Sequence, residues 1–257
     1  MTAAGGDDDT AAVAQQLVRR AGGYLRNPIR ETGVTCAVCT TPVDGFDRCF
    51  VCQSAYSATS GLADLVVPLT YGIAGAQSAF LLRAYKDSSD ARVRQQQGLV
   101  INWLLYLAIL VHEGCIGRRV GLAVGCRLAV PSVRGRVGVH PFEVITAQMN
   151  ATRESPRLAV SQADTGERVV SVDKFALNRR TDLDGQHVLI LDDTWTTGAN
   201  AQSAVLAARR AGAAAVSVMV VGRWLRPEFG HNAQFIKTRL ARDYDPWICP
   251  VTGAECT

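Results

Sequence analysis

The chain has 257 residues, of which 48% are hydrophobic, and its formal net charge is +4. This length fits one domain of ordinary size with a small additional module, because one core usually organises about 100–200 residues. The basic residues are spread along the chain, so the charge permits an anionic ligand without requiring nucleic acid.

The N-terminal segment reads MTAAGGDDDTAAVAQQ, with three aspartates where a secretory signal would carry basic residues and then an apolar stretch. We therefore expect a cytoplasmic protein. Residues 1–30 are predicted to form a tail, disordered to about residue 12, followed by a helix over Val13 to Leu25.

The segment 31–57 contains two CxxC pairs, Cys36 with Cys39 and Cys49 with Cys52, separated by nine residues. Four thiolates satisfy tetrahedral Zn²⁺, and a segment this short cannot bury a core of its own. The pattern favours a zinc knuckle, with a redox dithiol or a disulfide pair as the alternatives. Because all four positions are cysteine, no position remains for a catalytic water, and a structural role is expected.

The region 58–225 alternates apolar runs with helix-like stretches, which is typical of an α/β fold with a mainly parallel sheet flanked by helices. The expected strands are LVVPL, CRLAVP, RVVSV, HVLILD and AVSVMVV, and the expected helices cover residues 76–85, 92–112 and 201–211. The run Val188 to Leu191 is apolar on both faces, so we expect it at the centre of the sheet.

One stretch, Leu99 to Val111, is apolar enough to suggest a membrane segment. It is shorter than the roughly 20 apolar residues that a spanning helix needs. We therefore expect a buried core helix and no membrane partner.

Residues 226–257 are polar and irregular and form a predicted C-terminal extension that contains Cys249 and Cys256. These two cysteines could close the tail or bind metal, but their spacing alone is weak evidence. Cys115 and Cys126 lie in apolar contexts and are expected to be buried. We assign no role to the histidines, which are His112, His140, His187 and His231.

The most informative stretch is HVLILDDTWTTGAN. An apolar strand delivers Asp192 and Asp193 to its C-terminal end, where ligands of open α/β sheets bind. The loop from Thr194 to Ala199 then leads into a helix, and its amides, its threonine hydroxyls and Gly198 suit a phosphate dianion. Two carboxylates would repel a bare phosphate, so the ligand is expected also to present vicinal hydroxyls or Mg²⁺. The alternative is an acidic turn that only caps the helix.

This stretch resembles the phosphoribosyl-pyrophosphate signature of type I phosphoribosyltransferases, in which two acidic residues precede a TTG phosphate loop. With its CxxC module the chain is similar to the ComF-type, amidophosphoribosyltransferase-like branch, from about Cys36 to Leu225. The resemblance implies a type I phosphoribosyltransferase fold and an enzyme that binds 5-phosphoribosyl-1-pyrophosphate (PRPP) and Mg²⁺. Such an enzyme transfers the phosphoribosyl group to a nitrogen acceptor.

The resemblance also implies roles for individual residues. Asp192 and Asp193 would be catalytic and contact the ribose hydroxyls. The remaining PRPP contacts would come from the loop and helix start, at Thr194, Thr196, Thr197, Gly198, Ala199 and Asn200. Trp195, inside the motif, is expected to pack over the site entrance rather than stack on a nucleobase.

By position, a pyrophosphate loop is expected at Val130 to Arg136. Its diphosphate contacts would be Pro131, Ser132, Val133, Arg134 and Gly135, with added charge from Arg136. Lys86 matches a basic position common in ComF-type chains, which the resemblance puts near the diphosphate or the acceptor. Solvated surface charge is the alternative reading of Lys86, Arg134 and Arg136. Residues from about Phe142 to Val170 correspond to a flexible hood that closes over such sites.

Two features depart from the family pattern. Asn200 stands where the signature usually has Thr or Ser, although its amide can still donate to phosphate. The RGFNQ segment of ComF-type chains is replaced by VPSVRGRVGVHPFEVI, so the acceptor does not follow from the resemblance. The alternative function is a non-catalytic ComF-like protein that senses PRPP or assists DNA uptake, with the zinc knuckle binding a protein or single-stranded DNA.

Overall fold

The computed structural model describes residues 4–133, 139–149, 155–161, 169–177 and 181–256. Its main sheet has four strands, all parallel, in the order β1-β6-β5-β2. These strands are β1 (Leu65–Ile73), β2 (Val124–Ala129), β5 (His187–Trp195) and β6 (Ala215–Leu225). A separate antiparallel pair joins β3 (Leu158–Val160) to β4 (Phe175–Leu177). The chain therefore has an α/β fold with a parallel sheet, as the sequence predicts.

Eight α-helices cover the sheet and the ends of the described chain. They are α1 (Ala4–Leu17), α2 (Phe50–Ala58), α3 (Gln77–Asp87), α4 (Ala91–Leu107), α5 (Glu113–Val120), α6 (Pro141–Gln148), α7 (Ala199–Arg210) and α8 (Asn232–Arg239). Two π-helical turns interrupt this pattern, Val18–Gly22 after α1 and Ala108–His112 between α4 and α5.

The sheet separates two hydrophobic layers, and β5 contributes to both. Leu189 and Leu191 pack on the side of α3 and α4, whereas Val188 and Ile190 pack on the side of α7 and the cysteine segment. All four side chains are fully buried, which confirms the interior strand that the apolar run predicts. Burying each such side chain contributes about 1.5–3 kcal/mol.

The N-terminal segment differs from its prediction, because helix α1 already begins at Ala4 where a disordered tail was expected to residue 12. Asp8 and Asp9 lie near the N-terminal end of this helix, where the helix dipole favours negative charge. Further along, Ala14 and Leu17 are buried in the core that α4 also lines. Tertiary burial of one face thus stabilises a helix whose composition alone suggested disorder.

The strand expected at RVVSV is also wrong. Residues 169–172 are irregular, and Val169 and Val172 are exposed. The strand that does form, β4, begins at Phe175, which is fully buried, and lies outside the main sheet. A run of β-branched residues forms a strand only where a neighbouring strand and a core are available.

The expected hood begins as a packed helix, α6, whose Phe142 is buried in the core. Residues 150–154 and 162–168 of this segment lie outside the described part of the chain. The flexibility of the hood therefore remains a prediction.

The long helical run Ala91–Val120 joins α4, the second π turn and α5. By length and composition it is apolar enough to cross a membrane, and half of its most apolar window is buried inside the protein. Val100, Ile101 and Leu104 lie in the core, as expected of a core helix, whereas Leu110 is exposed.

The C-terminal segment, described over residues 226–256, folds back on the N-terminal part of the chain. The Tyr244 amide donates to the Gly22 carbonyl at 3.0 Å, and the Asp245 amide donates to Asn27 Oδ1 at 2.8 Å. Phe235 of α8 packs edge-on against buried Tyr71 of β1. The two ends of the described chain therefore share one face of the fold.

Candidate functional site

The aspartate–threonine motif lies where β5 ends and α7 begins. Asp192 and Asp193 are the sixth and seventh residues of β5. Thr196 and Thr197 lie in the exposed connecting loop, and Gly198 is the N-terminal cap of α7. The strand–loop–helix arrangement predicted from the sequence is confirmed.

Gly198 cannot be replaced by a larger residue without disturbing this loop. Its φ angle is 82°, in the left-handed region that glycine adopts without strain. A Cβ atom built there would lie 2.1 Å from a ring carbon of Trp195. Trp195 itself is only 2% exposed. It therefore supports the loop from below and does not pack over the site entrance, contrary to the prediction.

One cavity of about 790 Å³ gathers most of the predicted site residues. Its wall contains every predicted contact residue of the loop after β5 and of the start of α7, and it also includes Lys86. The predicted residues that line it are Lys86, Pro131, Ser132, Val133, Asp192, Asp193, Thr194, Thr196, Thr197, Gly198, Ala199 and Asn200. Arg134, Gly135 and Arg136 lie outside the described residues.

The two carboxylates of the motif have different surroundings. The Asp193 carboxylate accepts hydrogen bonds from Tyr85 and Lys86. Burial alone would raise the pKa of Asp193, but the charge and hydrogen bond of Lys86 outweigh it and hold this pKa below its usual value. Burial and then the charge of Asp193 raise the pKa of Asp192 to about 8. At neutral pH the pair therefore favours one negative charge rather than two.

Helix α3 brings Tyr85 and Lys86 to the acid pair because two glycines let the helix approach the sheet closely. Gly72 of β1 and Gly222 of β6 both face Leu82 of α3. A Cβ atom at either glycine would lie within 2.4 Å of the Leu82 side chain. The sequence shows these glycines, but their partner helix is visible only in three dimensions.

The expected pyrophosphate loop begins directly after β2, on the strand next to β5. Pro131, Ser132 and Val133 line the cavity, and the Ser132 amide faces the Glu143 carboxylate of α6 at 3.4 Å. The carboxyl ends of two adjacent parallel strands thus deliver both predicted ligand loops to one opening.

Several cavity residues were not predicted from the sequence. Arg83 of α3 stacks over the Trp224 ring at 4.5 Å, and Arg226 lies over the Phe229 ring at 5.5 Å. Neither guanidinium is ion-paired within the described ranges. His140 also lines the cavity. Scattered arginines carry no spacing signal, so sequence reasoning had no means to select them.

The four cysteines of the two CxxC pairs converge as predicted. Their sulfur atoms all lie within 4.8 Å of one another, and the Sγ atoms of Cys39 and Cys49 are 3.7 Å apart. Tetrahedral zinc with Zn–S distances of about 2.3 Å requires sulfur separations of about 3.8 Å. Hydrogen bonds from Cys36, and then from Cys49 and Cys52, hold the pKa of Cys39 well below its usual range. The cluster is consistent with a metal site such as zinc.

Arg223 of β6 connects this cysteine segment to the motif loop. Its Nε donates to Thr41 Oγ1 at 2.6 Å. Its Nη1 donates to the carbonyls of Trp195 and Thr196, each at 2.8 Å. Thr41 lies between the two CxxC pairs and itself lines the cavity, together with Val51. The cysteine module therefore forms part of the cavity wall.

His187, unlike His140, does not line the cavity and is a buried histidine within the fold. Its Nδ1 lies 2.7 Å from the Leu122 carbonyl, and its Nε2 lies 2.9 Å from Ser217 Oγ. Both ring nitrogens are therefore satisfied within the fold, far along β5 from the acid pair.

No protein-family model matches the chain, and no curated protein matches it either. Its own geometry therefore defines the site: a cavity with an acid pair, basic side chains and a glycine-capped helix start, beside a four-cysteine cluster consistent with a metal site.

Proposed function

We propose that the chain is a phosphoribosyltransferase-like protein that binds PRPP and Mg²⁺ in this cavity and transfers the phosphoribosyl group to a nitrogen acceptor. The observation that carries the proposal is the shared cavity. The acid pair, the Gly198 loop, the loop after β2 and Lys86 all open into it.

The 5′-phosphate would bind at the start of α7. The first amides of a helix lack intrahelical partners and point toward an anion, and the helix dipole favours negative charge there. Thr196 and Thr197 are exposed to the cavity and supply hydroxyl donors. Gly198 permits the left-handed turn that starts α7 against the Trp195 ring.

The ribose would lie against the acid pair. Asp193 is held ionised by Lys86 and Tyr85, so it can accept hydrogen bonds from vicinal hydroxyls. Asp192 Oδ1 accepts a hydrogen bond from the Asp193 amide at 2.9 Å, and Asp192 lines the cavity, where its carboxylate would meet the ligand. The carboxylate oxygens of this pair suit Mg²⁺, which would neutralise charge on the diphosphate.

The diphosphate would lie toward the loop after β2 and the basic side chains of α3. Lys86 and Arg83, both on α3, line the cavity. Cations at this position would stabilise the negative charge that develops on the leaving diphosphate. In the reaction, the bond between the anomeric carbon and the diphosphate oxygen breaks. A bond to the acceptor nitrogen forms, and that nitrogen loses a proton. The protein contributes mainly positioning and charge stabilisation.

For the four-cysteine cluster we propose bound zinc with a structural role. Cys36, Cys39 and Cys52 are buried, and four protein sulfurs complete the tetrahedral shell. The ion would fix the segment that carries Thr41 and thereby support Arg223 and the phosphate loop.

Two measurements on the purified full chain test the proposal. Calorimetry with PRPP, with and without Mg²⁺, should show binding that depends on the metal. An assay for diphosphate release with ammonia and free nucleobases should then identify a nitrogen acceptor. Binding without release for every acceptor would favour the sensing role instead.

A matched pair of variants ties the result to the acid pair. Replacing Asp192 and Asp193 by Asn should weaken both PRPP affinity and its Mg²⁺ dependence. The control replaces Asp8 and Asp9, two exposed acids on α1, by Asn and should bind as the wild type does. Unchanged binding in both variants would overturn the proposal.

A further inference from the structure

A second group of metal-ligand side chains lies outside the cavity. His112, Cys249 and Cys256 each place one ligand atom within 4.8 Å of the others. They come from two parts of the chain, the second π turn and the C-terminal segment, so the fold and not local sequence brings them together. His112 and Cys249 are buried, and Cys256 is exposed.

The imidazole of His112 is held in the orientation of a metal ligand. Its Nε2 lies 2.9 Å from the Pro246 carbonyl oxygen, and its Nδ1 lies 3.2 Å from Cys256 Sγ. A ligating histidine usually donates its second ring nitrogen to a carbonyl or carboxylate, which fixes the tautomer. A tetrahedral ion with typical Zn–N and Zn–S distances separates such atoms by about 3.5 Å.

The turn at Cys249 repeats the backbone pattern of the first metal knuckle. At Cys36, the Thr40 amide donates to the Cys36 carbonyl and the Cys36 amide donates to the Thr41 carbonyl, at 2.9 and 2.8 Å. At Cys249, Gly253 and Ala254 take the places of Thr40 and Thr41, at 2.8 and 2.7 Å. The residues that correspond, Thr40 and Gly253, both have positive φ angles, 58° and 79°.

Cys115 supplies a fourth sulfur. It follows His112 by three residues, which places both on one face of the helical run. Its thiol is buried and lies beside the thiol of Cys256, outside the group of three whose ligand atoms are all within 4.8 Å of one another. Arg118 Nη2 donates to Cys115 Sγ at 3.1 Å, which fixes the position of this thiol on the helical run.

A half-buried cation also lies near both cysteine clusters. Arg30 donates to the Pro250 carbonyl at 2.7 Å and to the Val66 carbonyl at 2.6 Å. Cys249, Cys39 and Cys36 all lie within electrostatic range of it. Its positive charge offsets the excess negative charge that several thiolates bring to a divalent ion.

We propose that His112, Cys115, Cys249 and Cys256 form a second zinc site, which fastens the C-terminal segment to the long helix beside the core. Mixed nitrogen and sulfur donors in a four-ligand set select zinc over magnesium or calcium. The site has four protein ligands and lies apart from the cavity, so it stabilises the fold and leaves the chemistry of the cavity unchanged.

Zinc analysis of the purified full chain gives the first test. We expect about two zinc ions per chain in the wild type, one for each four-ligand set. Replacing Cys249 and Cys256 by Ser should leave about one. A matched control, Cys126→Ser, removes a buried cysteine that belongs to neither cluster and should retain both ions. About one ion in the wild type, unchanged in the double variant, would overturn the proposal.

Cobalt substitution gives a second test that does not depend on the stability of the double variant. Cys256→Ser changes an exposed ligand near the end of the chain, so the fold should survive, as circular dichroism can check. The visible spectrum of the cobalt-loaded wild type should contain an S₃N component, and Cys256→Ser and Cys115→Ser should each reduce that component. A spectrum of the S₄ type alone in all three proteins would contradict the site, as would a disulfide between Cys249 and Cys256 in protein purified under reducing conditions.

Discussion

The four-cysteine segment and the loop between β5 and α7 both contact Arg223, yet their polar groups are oriented differently. In the knuckle three of the four cysteines are buried and the sulfurs point at one another. In the loop, Thr196 and Thr197 are exposed and line the cavity. A converging, closed ligand set suits a structural ion, whereas a set aimed at open space suits an exchangeable ligand. The direction of the side chains therefore distinguishes a structural metal site from a ligand-binding site, which residue type alone does not.

Removing one knuckle ligand should have the largest effect. Cys39 is fully buried, so Cys39→Ser would leave the proposed zinc shell incomplete in the interior. We expect a loss of about 4 kcal/mol or more in the free energy of unfolding, because metal loss belongs to the most destabilising class of changes. Thermal unfolding with parallel zinc analysis measures it. Cys126→Ser is the control, and equal stability of the two variants would argue against a structural ion.

Changing the glycine of the loop should have the next largest effect. Gly198→Ala places a Cβ atom against the Trp195 ring at a positive φ angle. We expect a loss of about 2–4 kcal/mol in stability, from backbone strain and overpacking together. Denaturant unfolding gives the number. Gly45→Ala is the matched control, because its φ of 76° is similar but its Cβ atom would meet nothing within 4 Å. An equal loss of stability in both variants would show that backbone strain alone causes it and that contact with Trp195 contributes nothing.

The connection between the two regions can be weakened without removing its charge. Arg223→Lys retains one cation but cannot donate at once to Thr41 and to the loop carbonyls. We expect a loss of about 2 kcal/mol in stability, and weaker PRPP binding, because these are hydrogen bonds from a charged group. Exposed Arg242→Lys serves as the control. Unaltered PRPP affinity in Arg223→Lys would show that the knuckle does not support the loop.

Replacing Asp192 of the acid pair should have the smallest effect on the free energy of unfolding, and that effect should depend on pH. Burial and then Asp193 raise the pKa of Asp192 to about 8 from an ordinary value of 3.8. Between about pH 4 and 8 the unfolded state releases this proton while the folded state retains it, so wild-type stability falls as pH rises. Asp192→Asn should match the wild type at pH 4 and exceed it at pH 8 by about 1–2 kcal/mol, the shift being discounted for solvent in the cavity. Unfolding at both pH values would detect the crossover, and parallel curves would contradict it.

The features that could be predicted from the sequence are those that depend on residues close together in the chain. The CxxC pairs and the HVLILDDTWTTGAN stretch are local patterns, so both the sulfur cluster and the strand–loop–helix unit could be predicted. Lys86, which lines the cavity, was expected near the site from a family resemblance and not from its spacing in the sequence. A parallel sheet flanked by helices followed from the alternation of apolar runs with helices, although five strands were expected and the main sheet of the described residues has four.

The remaining features depend on contacts between distant parts of the chain. Val169 to Val172 look like a strand, but none of the strands in the described part of the chain pairs with them. Arg223 looks like an ordinary charge at the end of β6, and only the fold brings Thr41 to it. His112 and Cys256, whose ligand atoms meet, are separated by 144 residues. Such pairs leave no periodicity in the sequence.

The most direct test of the proposed function is a calorimetric comparison of three proteins binding PRPP in the presence of Mg²⁺. The wild type and Thr238→Val, which alters an exposed threonine on α8 outside the cavity, should bind with equal affinity. Thr197→Val retains the side-chain volume but removes a hydroxyl donor to a charged phosphate, an interaction worth about 1.5–3 kcal/mol. We predict that it binds about ten- to hundredfold more weakly. Equal affinity in all three proteins, or no binding by the wild type, would contradict the assignment of this loop as a phosphate site.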